Sequence, residues 1–199
     1  MIKFLDTKNK NYKRNLINFL EIRRSGKNID TSIVKTILKD VKLNKTNAVL
    51  KYEKRFSKNT NIKVSNKQLK KAINSLDKKI KNSIDLAYSR IFKFHKKQKK
   101  KDILYKDEYN NKLAYKYKPL QSVGIYVPAN LPSTLLMNAI PAKIAGVKKI
   151  ILANPKLNGN LNPAVLYAAR KLGIKEIYSM GGAQAIASLA YIQKVNKIV

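Results

Sequence analysis

The 199 residues contain no cysteine and a single histidine, His95. Without cysteine, a disulfide scaffold and a thiolate metal site are both excluded. With one histidine, several imidazoles cannot converge on a metal within this chain. A serine–histidine–aspartate nucleophile could draw only on His95. Acidic residues are also scarce, 11 Asp and Glu against 43 Lys and Arg, for a formal net charge of +32. No apolar run is long enough to span a bilayer. The opening stretch MIKFLDTKNKNYKRN lacks the apolar core and small-residue cleavage site of a secretory signal. The expected location is therefore cytoplasmic, with no membrane partner.

The excess charge is mostly lysine: 37 of the 43 basic residues are Lys and 6 are Arg, beside 21 Asn. Base-reading surfaces favour the forked guanidinium of Arg. Lys, Asn, Ile and Tyr share A/T-rich codons, so the composition reads as mutational bias, and no specific nucleic-acid partner is expected. A basic nucleic-acid-binding protein stays as an alternative reading. The net charge is +24 over residues 1–120 and +8 over 121–199. The texture changes at the same point, from polar and Lys-rich to short apolar runs punctuated by Gly and Pro. Residues 1–118 therefore read as one helical region and 119–199 as a second unit.

In the first region, Ile33, Val34, Ile37, Leu38 and Val41 share a helical face after a candidate cap at Thr31. A break at 44–47 precedes a second helix through Tyr52 and Phe56. From Ser65 to about Lys100 the apolar residues Leu69, Ile73, Leu76, Ile80, Ile84, Ala87, Ile91 and Phe94 recur at helical spacing. This predicts one long amphipathic helix, opened by a Ser65–Gln68 capping box. His95 falls at its end, where a histidine favours the helix dipole and caps rather than catalyses. Residues 102–118 read as a hairpin or irregular connector.

The second unit alternates. Residues 122–127 read as a strand. A helix follows from Ser133, stopped by Gly146 and bent at Pro141. Residues 148–153 form a second strand. Asn162 and Pro163 open the next helix and Gly173 closes it. Residues 176–180 form a third strand, Gly181 and Gly182 turn into a last helix, and 197–199 begin a fourth strand. Short-looped strand–helix alternation predicts an α/β fold with a doubly wound, Rossmann-like parallel sheet, incomplete at its C-terminal end. A sheet stopping at a fourth strand is expected to leave an open edge and an uncovered face. Ligands bind such sheets at the carboxyl ends of the strands. The candidate loops are VPANLPST, ANPKLNGN and SMGGAQ. The chain has no GxGxxG, so spacing alone names no dinucleotide.

The stretches VGIYVPANLPSTLLMNAIPAKIAGVKKI and NPAVLYAARKLGIKEIYSMGGAQAIASLAY resemble histidinol dehydrogenase. That family reads VGxYVPGG…PSTVLMNAxPAxxAGV, then GGAQAIAALAY. Phe94, His95 and Gln98, with VKTILKDVKLNKTNAVLKYEKRF, fit its N-terminal helical region, so the resemblance covers about 31–199. The resemblance implies NAD-dependent oxidation of L-histidinol to L-histidine through L-histidinaldehyde, the last step of histidine biosynthesis. It also implies zinc, a homodimer with intertwined subunits, and an NAD-binding role for 119–199. By the same resemblance Tyr126 and Gln184 contact NAD, and a third contact, the asparagine of GPGN, would come just past Val199.

The sequence departs from the family in two ways. The loop 128–133 is shorter, and Ala129 and Asn130 stand where the family has glycines, which permit close backbone approach. The family's zinc ligands and its glutamate–histidine acid/base pair have no counterpart in 1–199, so no catalytic or metal-ligating residue is expected in this chain. A truncated, inactive fragment or a non-catalytic remnant is the corresponding expectation.

Overall fold

The computed structural model describes residues 4–24 and 31–199. The chain divides into two compact units, 1–35 and 36–199. In the first, Asp6 and Asn9 side chains accept from Lys8 and Asn11 backbone N–H groups at 2.9 and 2.8 Å. These short polar side chains turn the chain ahead of helix α1 (Tyr12–Arg24).

Helix α2 (Ser32–Ser57) breaks at Lys45, whose φ of 51° and ψ of −131° are not helical. The break falls within the 44–47 stretch that the sequence singles out. Left-handed backbone is costly for lysine, and Asp40 spans the fault. Its carboxyl accepts from Asn44 Nδ2 at 2.7 Å and from Lys51 Nζ at 2.9 Å. The Asn44 hydrogen bond first, then Lys51 and Tyr52, hold the Asp40 carboxyl well below the usual range, at about 2. The folded value lies below the ordinary 3.8, so the bridge stabilises fully above that pH. Its contribution is lost as pH falls through about 2. An NMR titration of the Asp40 side chain should give that low midpoint. A midpoint at the ordinary value would show that the bridge across the break is not made.

The long helix expected over 65–100 is two helices, α3 (Asn66–Asn74) and α4 (Lys78–Lys96). The capping box forms: Ser65 N–H donates to Gln68 Oε1 at 2.9 Å and Gln68 N–H donates to Ser65 Oγ at 3.2 Å. The division comes from Asp77, whose Oδ1 accepts from Lys79 and Ile80 N–H groups and starts a new helix. The apolar spacing runs on across the break because Ile73, Leu76 and Ile84 bury into one cluster. Ile80 and Phe94, assigned to the same stripe, lie exposed.

Of the two readings of 102–118, hairpin or irregular connector, the structure has the hairpin: strands β1 (Ile103–Lys106) and β2 (Lys112–Tyr115), exposed on both faces. Asp107 folds its turn by accepting from the N–H groups of Tyr109 and Asn111.

The second sheet is the parallel α/β sheet anticipated from the sequence. Its strands are β3 (Ser122–Tyr126), β4 (Lys149–Ala153), β5 (Glu176–Tyr178) and β6 (Lys197–Ile198). They lie in the order β5-β4-β3-β6, all neighbours parallel. Helix α5 (Pro132–Ala145) continues through Pro141 and ends at Gly146, φ 95°. Helix α6 (Pro163–Lys171) starts on Asn162, whose Oδ1 accepts from Ala164 and Val165 N–H groups. Helix α7 (Gly182–Ala187) passes into a π-helical turn, Ser188–Ile192.

Alternate strand residues face opposite sides. Val123, Ile125, Val127, Leu152 and Ile177 meet α3 to α6 in one apolar cluster. Ile151 and Ala153 meet α2, α7 and the π-helical turn in the other, through Ile37, Val41, Val49, Ala185 and Leu189. The expectation of an uncovered face is therefore corrected, because α2 fills that side. The outer edge of β5 is covered too. Residues 62–64 pair antiparallel to it, Val64 N–H donating to the Ile177 carbonyl at 3.0 Å. On the α2 side, the glycine at 124 lets Leu189 and Val195 pack close to the strand. A Cβ there would meet Leu189 methyls at 3.0 and 3.1 Å and Val195 Cγ2 at 3.1 Å.

Candidate functional site

The strand order reverses about β3, with β4 on one side and β6 on the other, so the expected ligand crevice is at their carboxyl ends. Tyr126 ends β3 there, half-buried, its N–H donating to the Val199 carbonyl at 2.8 Å. After β5 the chain turns through Gly181 and Gly182 into α7. The Tyr126 hydroxyl lies 3.9 Å from the place a Cβ on Gly181 would occupy. The same Cβ would sit 2.9 Å from Pro155 Cβ, a rigid ring, so the two loops touch backbone to ring. Gly182 has φ +60°, and a Cβ on it would lie 3.0 Å from Gln184 Oε1. Tyr126 and Gln184 are thus brought to adjoining glycines of one turn.

The turn is anchored from α2. Glu53 is buried, 1% exposed. Its Oε1 accepts from Gly181 N–H at 2.8 Å and from Gln184 Nε2 at 2.8 Å. A buried carboxyl group needs such partners, because its desolvation is costly. Here a helix start supplies them, where free N–H groups and the helix dipole favour an acceptor.

A second anchor joins the loops after β3 and β4. Asn154, fully buried, donates from Nδ2 to the Val127 and Pro128 carbonyls, each at 3.1 Å. Its Oδ1 has no hydrogen-bond partner among the described residues. Beside it, Lys156 Nζ donates to Asn59 Oδ1 at 2.8 Å, and Asn59 Nδ2 donates to the Ser179 carbonyl at 2.6 Å. Ala129 and Asn130 occupy the short turn between Pro128 and Leu131, closed by Leu131 N–H donating to the Pro128 carbonyl at 3.3 Å.

His95 stands apart in role, at the end of α4, half-buried and 2.6 Å from Gln98 Oε1 through Nδ1. A cavity of about 330 Å³ opens between Lys143, Lys149, Leu172, Gly173, Lys175 and Glu176. It lies at the amino ends of the strands, opposite the crevice where such sheets take ligands. Its lysines are exposed and Lys149 is paired with Glu176 at 3.4 Å. The converging buried polar groups, rather than this hollow, mark the candidate site.

Sequence reading reaches Tyr126, Gln184 and the three loops. It misses Glu53, Asn59 and Asn154. Glu53 does leave a signal: it lies four residues after buried Val49, on the apolar side of the helix, where a carboxyl group is out of place. Asn59 and Asn154 leave none, since their partners are distant in the chain.

The family model for histidinol dehydrogenase matches residues 22–199. Histidinol dehydrogenase of Pelagibacter ubique is 54% identical over 206 aligned residues, covering 100% of this chain and 48% of the relative. That of Rhizobium meliloti is 37% identical, with 100% and 48% covered. The crystal structure of histidinol dehydrogenase from Elizabethkingia anophelis is 37% identical with a TM-score of 0.80. It is matched over 86% of this chain and 42% of its own. The chain spans about half the length of the curated relatives it matches.

Proposed function

As the chain belongs to the histidinol dehydrogenase family, we propose that it serves the NAD-dependent oxidation of L-histidinol to L-histidine by holding the nicotinamide cofactor. The reading is carried by the convergence of Tyr126 and Gln184 on the Gly181–Gly182 turn at the strand ends. The fit with NAD is supported by the fully buried Asn154 Oδ1, an acceptor without a partner among the described residues in the adjoining loop. NAD when bound supplies the hydride acceptor. Tyr126 offers a ring and hydroxyl for stacking and hydrogen bonding, and Gln184 an amide. Asn154 holds the loop after β3 to the end of β4, so that Tyr126 stays in register.

Zinc does not fit the described residues. No three of His, Cys, Asp or Glu converge among them, and no step is assigned to a metal here. On this reading the isolated chain binds NAD and does not turn over L-histidinol. Its place is the cytoplasm; no helix among the described residues is long and apolar enough to cross a membrane. A homodimer is part of the proposal, supported by the apolar side chains that the β1–β2 hairpin leaves exposed, Leu104 at 74% and Tyr115 at 59%.

Calorimetry with NAD tests the cofactor role. Removing one hydrogen-bonding or stacking group, as in Gln184→Ala or Tyr126→Ala, should weaken binding about tenfold. A wild-type chain that binds no NAD sinks the reading. Histidinol-dependent NADH formation by the isolated chain, abolished by Gln184→Ala, would overturn the claim of inactivity alone.

A further inference from the structure

Gln184 can face a ligand with either end of its amide, and the two ends select opposite chemistry. The carbonyl oxygen accepts hydrogen bonds and the NH₂ donates them. The choice is fixed by the surroundings of the side chain, which is 3% exposed. Glu53 Oε1 already accepts the Gly181 N–H at 2.8 Å and takes its second bond from Gln184 at 2.8 Å. Toward the glutamine it is therefore an acceptor, and the NH₂ end must turn to it. Gln184 Oε1 is left over the bare Cα of Gly182, at 3.0 Å from the place of a Cβ, and enters no hydrogen bond among the described residues.

We infer that Glu53 is a positioning residue that turns the Gln184 amide so that it presents an acceptor. The ligand group received there is then a hydrogen-bond donor, a ribose hydroxyl or a carboxamide N–H, and not a phosphate oxygen. This rests on the reading of the site as a nicotinamide-cofactor site. It accounts for a buried carboxyl group reaching from α2 to α7 with two neutral donors, where an apolar residue would pack more cheaply.

The test uses the whole chain, NAD as the probe, and three exchanges. Glu53→Gln keeps an oxygen for both donors and should bind NAD within about threefold of wild type, since the amide stays oriented. Gln184→Glu sets two oxygens against each other and should weaken binding at least about tenfold, as an unmatched buried acceptor would. Glu53→Met removes the acceptor that holds the amide and should weaken NAD binding at least about tenfold, while Glu53→Gln does not. A purely structural role for the carboxyl group predicts no such split between the two exchanges at 53. NAD binding by Glu53→Met equal to that of Glu53→Gln overturns the proposal, as does unchanged NAD binding by Gln184→Glu.

The side-chain amide resonances of Gln184 give a second measurement that needs no cofactor. They should keep a hydrogen-bonded shift in Glu53→Gln and lose it in Glu53→Met; insensitivity to both exchanges overturns the proposal. A wild-type chain that binds no NAD yet shows this amide behaviour ends the cofactor reading and leaves the orientation of Gln184 by Glu53 standing.

Discussion

Gly182→Val is expected to leave the chain without measurable NAD affinity while it remains folded. Gly182 has φ +60°, in the left-handed region. A β-branched residue there carries a backbone penalty of about 2 kcal/mol. Its Cβ would stand 3.0 Å from Gln184 Oε1, and its methyls would push that oxygen out of the crevice. The bond from Gln184 Nε2 to Glu53 would break with it. The stability cost is a fraction of what a domain of this size holds, so thermal unfolding should stay cooperative as NAD titration goes flat. A Gly182→Val chain that binds NAD like wild type would remove the turn from the site.

Val49→Asp should have the opposite signature, loss of the fold itself. Val49 is fully buried between α2 and the sheet, in the cluster with Ile151, Ala153 and Leu189. An uncompensated charge there costs at least about 3–5 kcal/mol. It would lift α2 from the face it covers, and with it Glu53. Circular dichroism should show helix loss and a broad, low-temperature melt. The same exchange at Ile33, on the same helix but 65% exposed, should change stability by no more than about 0.5 kcal/mol. If the two variants melt alike, α2 is not the cover of that face.

These contrasts follow what could be read from the chain. Strands and helices of 122–199 are legible because each carries its own punctuation. Asn162 and Pro163 open α6, and Gly146 and Gly173, at φ 95° and 73°, close α5 and α6. The break in α2 is legible for the same reason, and the hairpin only as one of two readings of a polar, tyrosine-rich stretch. The division between α3 and α4 is not, since apolar spacing continues through Asp77 and spacing dominates a periodicity argument. Nor is the strand-like run at 62–64, because a three-residue edge segment is too short to carry a pattern. The site divides in the same way. Tyr126 and Gln184 stand in motifs that resemble a family. Glu53, Asn59 and Asn154 act through partners that only the folded chain supplies.

The contacts of α2 and its following loop with the end of β5 and the start of α7 close very large loops. Asn59 to Ser179 spans 120 residues, Glu53 to Gly181 spans 128, and Glu53 to Gln184 spans 131. Contacts so remote along the chain tie up the most loop entropy and slow the search for the native state. During synthesis, the helix that carries Glu53 emerges long before the turn it holds. It must wait with Val41 and Val49 unburied until their partners, from Ile151 to Leu189, have appeared. The Gly181 amide hydrogen, held by the buried Glu53 carboxyl group, is therefore expected to exchange for deuterium slowly, through openings that part α2 from the start of α7.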